Sequence, residues 1–212
     1  LYSLHKAHTR AVCFMLANEE FLISGSNDGT IRIWNVANGI CYHTLQHNVH
    51  YNCESNPITG LQLLSNNSRT ATLYSSSQSG HFNMWDIRSG VLIKSYDMRA
   101  QEPHVGGIHA MGISTLPNSF FSDQQRHTIV ALGDYNGDIY ILSLQSMKPL
   151  ARLQGHQSFV SKFLFRSNVD FKATNGNINN QPQQQQHKNQ LISMSSGGAI
   201  KIWDLSKIAI AH

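Results

Sequence analysis

Residues 23 to 35 read ISGSNDGTIRIWN, and the interpretation of the whole chain starts from this stretch. An apolar pair leads into small polar residues, Asn-Asp-Gly marks a tight hairpin turn, and the alternating run after it ends at Trp34. With His8 upstream, two hypotheses compete. Ser24, Asp28 and His8 are either parts of a Ser-His-Asp hydrolase or the internal brace of a repeated β-sheet unit.

The same pattern occurs three more times along the chain, which favours the repeated unit. Each copy has an apolar strand, a short turn with glycine and a second alternating strand, in TLYSSSQSGHFNMWDIR (72–88), IVALGDYNGDIYILSL (129–144) and LISMSSGGAIKIWDL (191–205). The final aromatic or leucine positions are Trp34, Trp85, Leu142 and Trp203, at intervals of about 50 to 60 residues. A histidine and a further strand precede units one, three and four, and a weaker strand follows most units. In unit two no histidine directly adjoins its first strand, SNPITGLQLL (55–64), because the segment QHNVHYNCE (46–54) inserts extra residues between histidine and strand.

Composition limits the classes of function that the chain can have. Charged residues make up 13% of the 212 residues, against a typical ~25%. The net charge of +4 is scattered, which speaks against a nucleic-acid or membrane patch. Three cysteines without disulfide spacing indicate an intracellular protein, cytoplasmic or nuclear. No apolar run approaches the ~18 residues of a membrane span.

The motifs resemble those of the WD-repeat (WD40) family. Gly155-His156 with Trp203-Asp204, and His8 with SGSNDGTIRIWN, are similar to the Gly-His and Trp-Asp signature of that family. The resemblance implies an all-β fold, a β-propeller of four-stranded antiparallel blades. Four repeats are expected here, as part of a larger, about seven-bladed propeller. The expected divisions are an outer strand of another blade and four repeats, at 1–6, 7–46, 47–98, 99–154 and 155–212. The Asn/Gln-rich insert 166–190 in the fourth repeat is expected to be disordered.

In the WD-repeat family, a histidine, a serine or threonine, an aspartate and a tryptophan form a buried hydrogen-bonded tetrad. The resemblance therefore assigns His8, Ser24, Asp28 and Trp34 to a structural brace in unit one. The brace is eroded in the other units, which retain Ser75, Trp85, His104, His156, Ser193 and Trp203. Gly197 and Ser79 replace the aspartate in units four and two, and unit three has Leu132, Asn136 and Leu142. No G-x-S-x-G motif is present, so we assign no catalytic residue and no cofactor.

The resemblance also indicates which positions lie on the loop face that most often binds partners. These positions are Arg10, Asn27, Thr59, Gln78, His109, Tyr135 and Phe159. Tyr135 and Phe159 are the preferred anchors, because aromatic residues dominate binding hot spots. The resulting hypothesis is a non-catalytic scaffold or adaptor whose partners are other proteins.

Three alternatives stay open at this stage. Trp85-Asp86-Ile87-Arg88 resembles the end of a box in WD-repeat substrate receptors of cullin-RING ubiquitin ligases, although Ser79 departs from its acidic residue. A pI near 9.0 suggests a nucleic-acid-binding propeller. A zinc site is a further alternative, because five potential ligands lie close together in the sequence: Cys41, His43, His47, His50 and Cys53.

Overall fold

The computed structural model describes residues 7–47, 56–67, 70–101, 106–116, 127–166 and 189–207. Within these ranges almost all regular structure is β-strand, with a helical turn α1 (Met98–Gln101) and a 3-10 turn (Leu205–Lys207). The helices described here are far too short to cross a membrane. Residues 1–6, His104 and the segment 48–55 lie outside the described residues.

The strands form four antiparallel sheets, and strands follow chain order in every sheet. The first sheet comprises β1 (Val12–Ala17), β2 (Phe21–Ser26), β3 (Thr30–Asn35) and β4 (Cys41–Gln46). The second sheet comprises β5 (Ile58–Asn67), β6 (Thr70–Ser77), β7 (His81–Asp86) and β8 (Leu92–Asp97).

The third and fourth sheets repeat this arrangement. The third comprises β9 (Ile108–Leu116), β10 (His127–Asp134), β11 (Ile139–Ser143) and β12 (Pro149–Leu153). The fourth comprises β13 (Val160–Arg166), β14 (Gln190–Ser195) and β15 (Ile200–Asp204), so the described part of it has three strands. The prediction of an all-β fold with antiparallel blades is confirmed. Arg166 and Gln190, at the two ends of the predicted insert, lie in strands, and 167–188 lie outside the described residues.

Consecutive sheets pack face to face, β1 against β5, β5 against β9 and β9 against β13. Each junction has its own apolar cluster, because both faces of the inner sheets are buried. The cluster between the second and third sheets contains Tyr74, Phe82, Leu132 and Leu142. The core of the chain is therefore a row of three sheet junctions.

A bulky residue of each first strand packs over glycine in the preceding sheet. A Cβ added to Gly25 would lie 2.8 Å from Leu61, and one added to Gly60 would lie 2.8 Å from Met111. A Cβ on Gly133 would lie 3.0 Å from Phe163. A side chain at any of these positions would force the facing residue to shift, so glycine here allows the sheets to approach closely.

The hairpin turns also contact the next sheet. Gly29 and Gly137 adopt φ angles of 82° and 92°, which only glycine adopts readily. A Cβ on Gly137 would lie 2.5 Å from the carbonyl oxygen of His156, at the entry to the fourth sheet. Gly29 and Gly137 are therefore needed both for the hairpin conformation and for the close contact with the next sheet.

Candidate functional site

The first sheet brings His8, Ser24, Asp28 and Trp34 into one chain of hydrogen bonds. His8 Nδ1–H donates to Asp28 Oδ2 at 3.0 Å, so His8 Nε2 accepts from the Ser24 hydroxyl at 2.7 Å. The Trp34 indole N–H donates to Ser24 Oγ at 2.9 Å. Ser24 is thus the hub that joins the segment before β1 to strands β2 and β3.

Asp28 is held in its charged form by the surrounding donors. Burial opposes its ionisation, but hydrogen bonds from the Thr30 hydroxyl and amide, the Thr9 amide and His8 outweigh burial and lower the pKa of Asp28 well below its usual range. The carboxylate therefore fixes which ring nitrogen of His8 carries the proton.

The geometry around Ser24 supports a structural role for its hydroxyl and argues against a role as a catalytic nucleophile. Its side chain is buried, its hydroxyl O–H already donates to His8 Nε2, and its oxygen accepts from the Trp34 indole N–H. A hydrolase needs its serine open to a substrate carbonyl beside an oxyanion hole. Here both functions of the hydroxyl are used inside the sheet.

The second sheet contains a brace histidine that the sequence analysis missed. His47 Nε2 lies 2.7 Å from Ser75 Oγ, and the Trp85 indole N–H donates to the same oxygen at 2.7 Å. His47 precedes its serine by 28 residues, whereas His8 precedes Ser24 by 16. The signal in the sequence was the segment QHNVHYNCE (46–54), in which extra residues separate a histidine from the first strand of the unit, but His47 was not assigned to the brace.

Asn83 occupies the place beside His47 that Asp28 has beside His8. Asn83 Nδ2 lies 3.3 Å from His47 Nδ1, and Asn83 Oδ1 accepts from the Ser95 hydroxyl at 2.6 Å. With the amide donating to Nδ1, the proton of His47 sits on Nε2 and is donated to Ser75. The direction of hydrogen bonding along this brace is the reverse of that in the first sheet.

We predict that acid weakens the second sheet through His47. Burial, with a further contribution from nearby His81, lowers the pKa of His47 to about 3 in the folded chain, from an ordinary 6.5. The neutral form therefore stabilises the fold fully above pH 6.5, and this contribution is lost as the pH falls toward 3. At pH 5 we expect a loss of about 2 kcal/mol in the free energy of unfolding.

Urea unfolding at pH 7 and pH 5 measures this effect, and the His47→Gln variant is its control. The variant has no imidazole at this position, so its stability should depend less on pH over the same range. An unchanged free energy of unfolding for the parent chain between pH 7 and pH 5 would contradict the prediction.

The fourth sheet retains three of the four brace residues. His156 Nε2 lies 2.7 Å from Ser193 Oγ, to which the Trp203 indole N–H donates at 2.8 Å. Gly197 has no carboxylate, and His156 Nδ1 is buried without a partner among the described residues. Burial and, to a smaller extent, the charge of Lys201 lower the pKa of His156, so it stays neutral.

The third sheet replaces the brace with apolar packing. Leu132 and Leu142 are fully buried in the cluster shared with the second sheet. Asp134 caps the β10–β11 turn, accepting the amides of Asn136 and Asp138 on one oxygen. Burial raises the pKa of Asp134.

The predicted loop-face residues lie at one end of the sheets. In the first and second sheets, the residue after the second strand hydrogen-bonds to the residue before the first strand. The amide of Asn27 donates to the carbonyl of Ala11, and the amide of Gln78 donates to the carbonyl of Pro57. Arg10 and Gln78 are exposed, and Asn27 and Thr59 are half-buried. Asn27 Oδ1 accepts from Cys13, and the hydroxyls of Thr59 and Ser76 lie 3.1 Å apart.

Three loop-face residues form an aromatic cluster across the third and fourth sheets. The ring centroids of His109 and Phe159 are 4.2 Å apart, those of His109 and Tyr135 5.0 Å, and those of Tyr135 and Phe159 6.0 Å. All three rings are half-buried, and burial lowers the pKa of His109 so that it favours the neutral form. The cluster is thus an uncharged, preorganised aromatic surface.

The potential zinc ligands are dispersed among other partners. His43 Nε2–H donates to the carbonyl of Arg88 at 2.8 Å, and His47 belongs to the second brace. His50 and Cys53 lie outside the described residues. Among the residues that the structure describes, no three His, Cys, Asp or Glu side chains are arranged to hold a metal ion.

Arg88 takes part in a contact between the first two sheets. Its guanidinium lies 3.1 Å from the Glu20 carboxylate, and both side chains are about half exposed. Ser79, at the position of the missing acidic residue, instead hydrogen-bonds to His81 Nδ1 at 2.8 Å. These contacts give Arg88 and Ser79 structural roles.

Comparison with known sequences identifies related repeats. Residues 1–35 match the family model described as WD domain, G-beta repeat. The chain is 28% identical over 154 residues to the COMPASS component SWD3 of Saccharomyces cerevisiae (strain ATCC 204508 / S288c). The match covers 70% of the chain and 46% of SWD3, so the chain spans about half the length of this relative.

Solved structures share the arrangement of sheets. The computationally designed Ika4 protein matches with a TM-score of 0.60 and 21% identity, over 95% of both chains. The computationally designed Ika8 protein matches with a TM-score of 0.58 and 21% identity, over 94% of this chain and 48% of its own. At this level of identity the likeness extends to the fold alone.

Proposed function

Since the chain belongs to the WD-repeat family, we propose that it is a non-catalytic scaffold that holds protein partners within a multiprotein complex. The observation that carries this proposal is the aromatic cluster of His109, Tyr135 and Phe159 at the loop end of two sheets. The similarity of the chain to a component of COMPASS supports the proposal that it is a subunit of a multiprotein complex. An intracellular location fits this function and the reduced cysteines Cys13 and Cys41.

The mechanism is the presentation of short loops on a rigid frame. The braces hold the segments before the first strands of the first, second and fourth sheets, and the turn glycines Gly29 and Gly137 pack against the next sheet. A surface that is ordered before binding loses little conformational entropy when a partner binds. Neutral aromatic rings supply contact area without the cost of desolvating a charge.

We expect the Tyr135→Ala, Phe159→Ala double variant to lose its partners. Tagged chains purified from cells and analysed by quantitative mass spectrometry should show at least a tenfold loss of the proteins that accompany the parent chain. Tyr42→Ala is the matched control, because Tyr42 is an exposed aromatic residue on the outer strand β4. Equal recovery of the same proteins by the double variant would refute the proposed face.

The cullin-RING and nucleic-acid alternatives have no specific support. Arg88 is engaged by Glu20, and Ser79 is buried within the second sheet. A Ser-His-Asp hydrolase would require an accessible serine, whereas the Ser24 hydroxyl is hydrogen-bonded to both His8 and Trp34.

A further inference from the structure

The brace of the fourth sheet has a buried histidine nitrogen that nothing in the described chain engages. His156 is 7% exposed, and its Nδ1 is buried without a hydrogen-bond partner among the described residues. Its Nε2 lies 2.7 Å from Ser193 Oγ, the same distance that separates His8 Nε2 from Ser24 Oγ. Because a buried polar atom without a partner is costly, Nδ1 of His156 is a candidate donor to a group from another molecule.

The turn around Gly197 has the same backbone conformation as the turn around Asp28. Gly198 and Gly29, the next residues, have φ angles of 83° and 82°. The amide of each of these two glycines donates to the carbonyl three residues earlier. Gly197 and Asp28 therefore occupy equivalent positions, and the fourth sheet lacks only the carboxylate.

In the first sheet, several donors converge on the carboxylate at this position. Asp28 accepts from His8 Nδ1–H, from the Thr9 amide, and from both the amide and the hydroxyl of Thr30. All these donors belong to the first sheet or to the segment directly before it, although the second sheet stacks on the first. The position is therefore formed within one sheet, and it is complete with another sheet stacked behind it.

Most of these donors have counterparts in the fourth sheet. The histidine nitrogen is His156 Nδ1, and strand register makes the two amides those of Gln157 and Ala199. Among the described residues, neither amide has a hydrogen-bond partner. Ala199 lacks the hydroxyl that Thr30 contributes in the first sheet, so one donor is missing from the set.

Ser158 and Lys201 supply another donor and a positive charge. The Gly197 amide donates to Ser158 Oγ at 2.9 Å, so the Ser158 O–H is available for a further acceptor. A Cβ added to Gly197 would lie 2.9 Å from the same oxygen, which therefore borders the space of the absent side chain. Lys201 Nζ would lie 2.6 Å from a Cβ added to Gly155, directly before His156, so its charge stands beside the imidazole.

We propose that the fourth sheet binds a carboxylate of another molecule at this position, which we call the carboxylate site. The bound carboxylate accepts from His156 Nδ1–H, from the Ser158 hydroxyl and from the amides of Gln157 and Ala199. A carboxylate suits this set because it is an acceptor with several lone pairs and no donor. The site uses none of the three rings of the aromatic cluster, so it does not depend on the function proposed for the loop face.

Sodium acetate is the probe that tests the carboxylate site, with sodium chloride at equal ionic strength as the reference. Acetate has only four non-hydrogen atoms, so we expect a Kd in the millimolar range. In ¹⁵N NMR of the 212-residue chain, acetate should move the Nδ1 resonance of His156 toward that of His8, which already has its carboxylate. His8 is the internal control and should not move. No change at His156 in about 100 mM acetate, or the same change in chloride, would overturn the proposal.

Two substitutions locate the binding. Gly197→Asp supplies the carboxylate from the turn itself, since Gly197 has no positive φ and only the Ser158 side chain has to shift. This variant should show the acetate-bound resonances of His156 without acetate and should not respond to acetate. Ala199→Thr adds the hydroxyl that Thr30 has in the first sheet and should lower the Kd for acetate at least about threefold. An acetate response of folded Gly197→Asp equal to that of the parent chain would place acetate elsewhere and refute the site.

Comparison of tagged parent and Gly197→Asp chains from cells distinguishes two sources of the carboxylate. Loss of accompanying proteins from the variant, measured by quantitative mass spectrometry, would assign the site to an acidic side chain of a protein partner. Undiminished recovery, with the acetate response of the parent chain, would assign it to a small free carboxylate. Because acetate binding is measured on the isolated chain, its failure would leave the proposed scaffold function standing, and failure of the loop face would leave the carboxylate site standing.

Discussion

Replacing Ser24 with alanine is expected to lower the free energy of unfolding by about 2–6 kcal/mol. The substitution leaves His8 Nε2 without its donor and the Trp34 indole N–H without its acceptor, in the interior of the first sheet. A buried polar group without a partner costs about 1–3 kcal/mol, and two are created here. Chemical unfolding followed by tryptophan fluorescence and circular dichroism measures the loss.

Ser89→Ala is the matched control for Ser24→Ala, because Ser89 is an exposed serine in the β7–β8 turn. Its effect is expected to stay within about 0.5 kcal/mol. If Ser24→Ala unfolds at the same denaturant concentration as the parent chain, the brace contributes nothing to stability and the account of Ser24 is wrong.

Replacing Phe82 with alanine is expected to cost about 3–5 kcal/mol of the free energy of unfolding. Phe82 is fully buried and stacks on Tyr74, with ring centroids 6.1 Å apart and an interplanar angle of 11°. The cluster around it joins the second and third sheets, so the cavity left behind lies at a sheet junction. Differential scanning calorimetry measures the fall in Tm.

Ile93→Ala is the control for Phe82→Ala. Ile93 lies on the outer strand β8 and is about half exposed, so its removal opens no cavity. A loss for Phe82→Ala no larger than that for Ile93→Ala would show that the second and third sheets do not depend on this junction.

The sequence contained enough information to predict the repeated sheets and the first brace. Asn27-Asp28-Gly29 and Asn136-Gly137 mark hairpins because their backbone conformations favour few other residues. His8, Ser24, Asp28 and Trp34 match one motif at its usual spacing, and the structure brings the same four side chains together. These features depend on residue types at fixed short spacings, which can be identified in the sequence.

The features that sequence reasoning missed depend on loop length and on neighbouring sheets. His47 lies 28 residues before Ser75, and the sequence showed a histidine displaced from its strand in 46–54 without showing which histidine of that segment contacts the serine. Asn83, in strand β7, takes the position beside His47 that Asp28 takes beside His8. Asp28 lies in a turn, so the two residues do not align in the sequence. The contact of His43 with Arg88 and the close approach of Leu61 to Gly25 arise only when two sheets stack.

The tryptophans of this chain are held inside their sheets by hydrogen bonds to serine hydroxyls. All three tryptophans, Trp34, Trp85 and Trp203, donate their indole N–H to a brace serine. Hydrogen exchange of the three indole N–H groups, followed by NMR in D₂O, tests this claim most directly. We expect the indole N–H groups of Trp34 and Trp85 to exchange at least about 1,000-fold more slowly than free indole, because exposing them requires the sheet to open. Exchange of these two groups at the rate of free indole would contradict it.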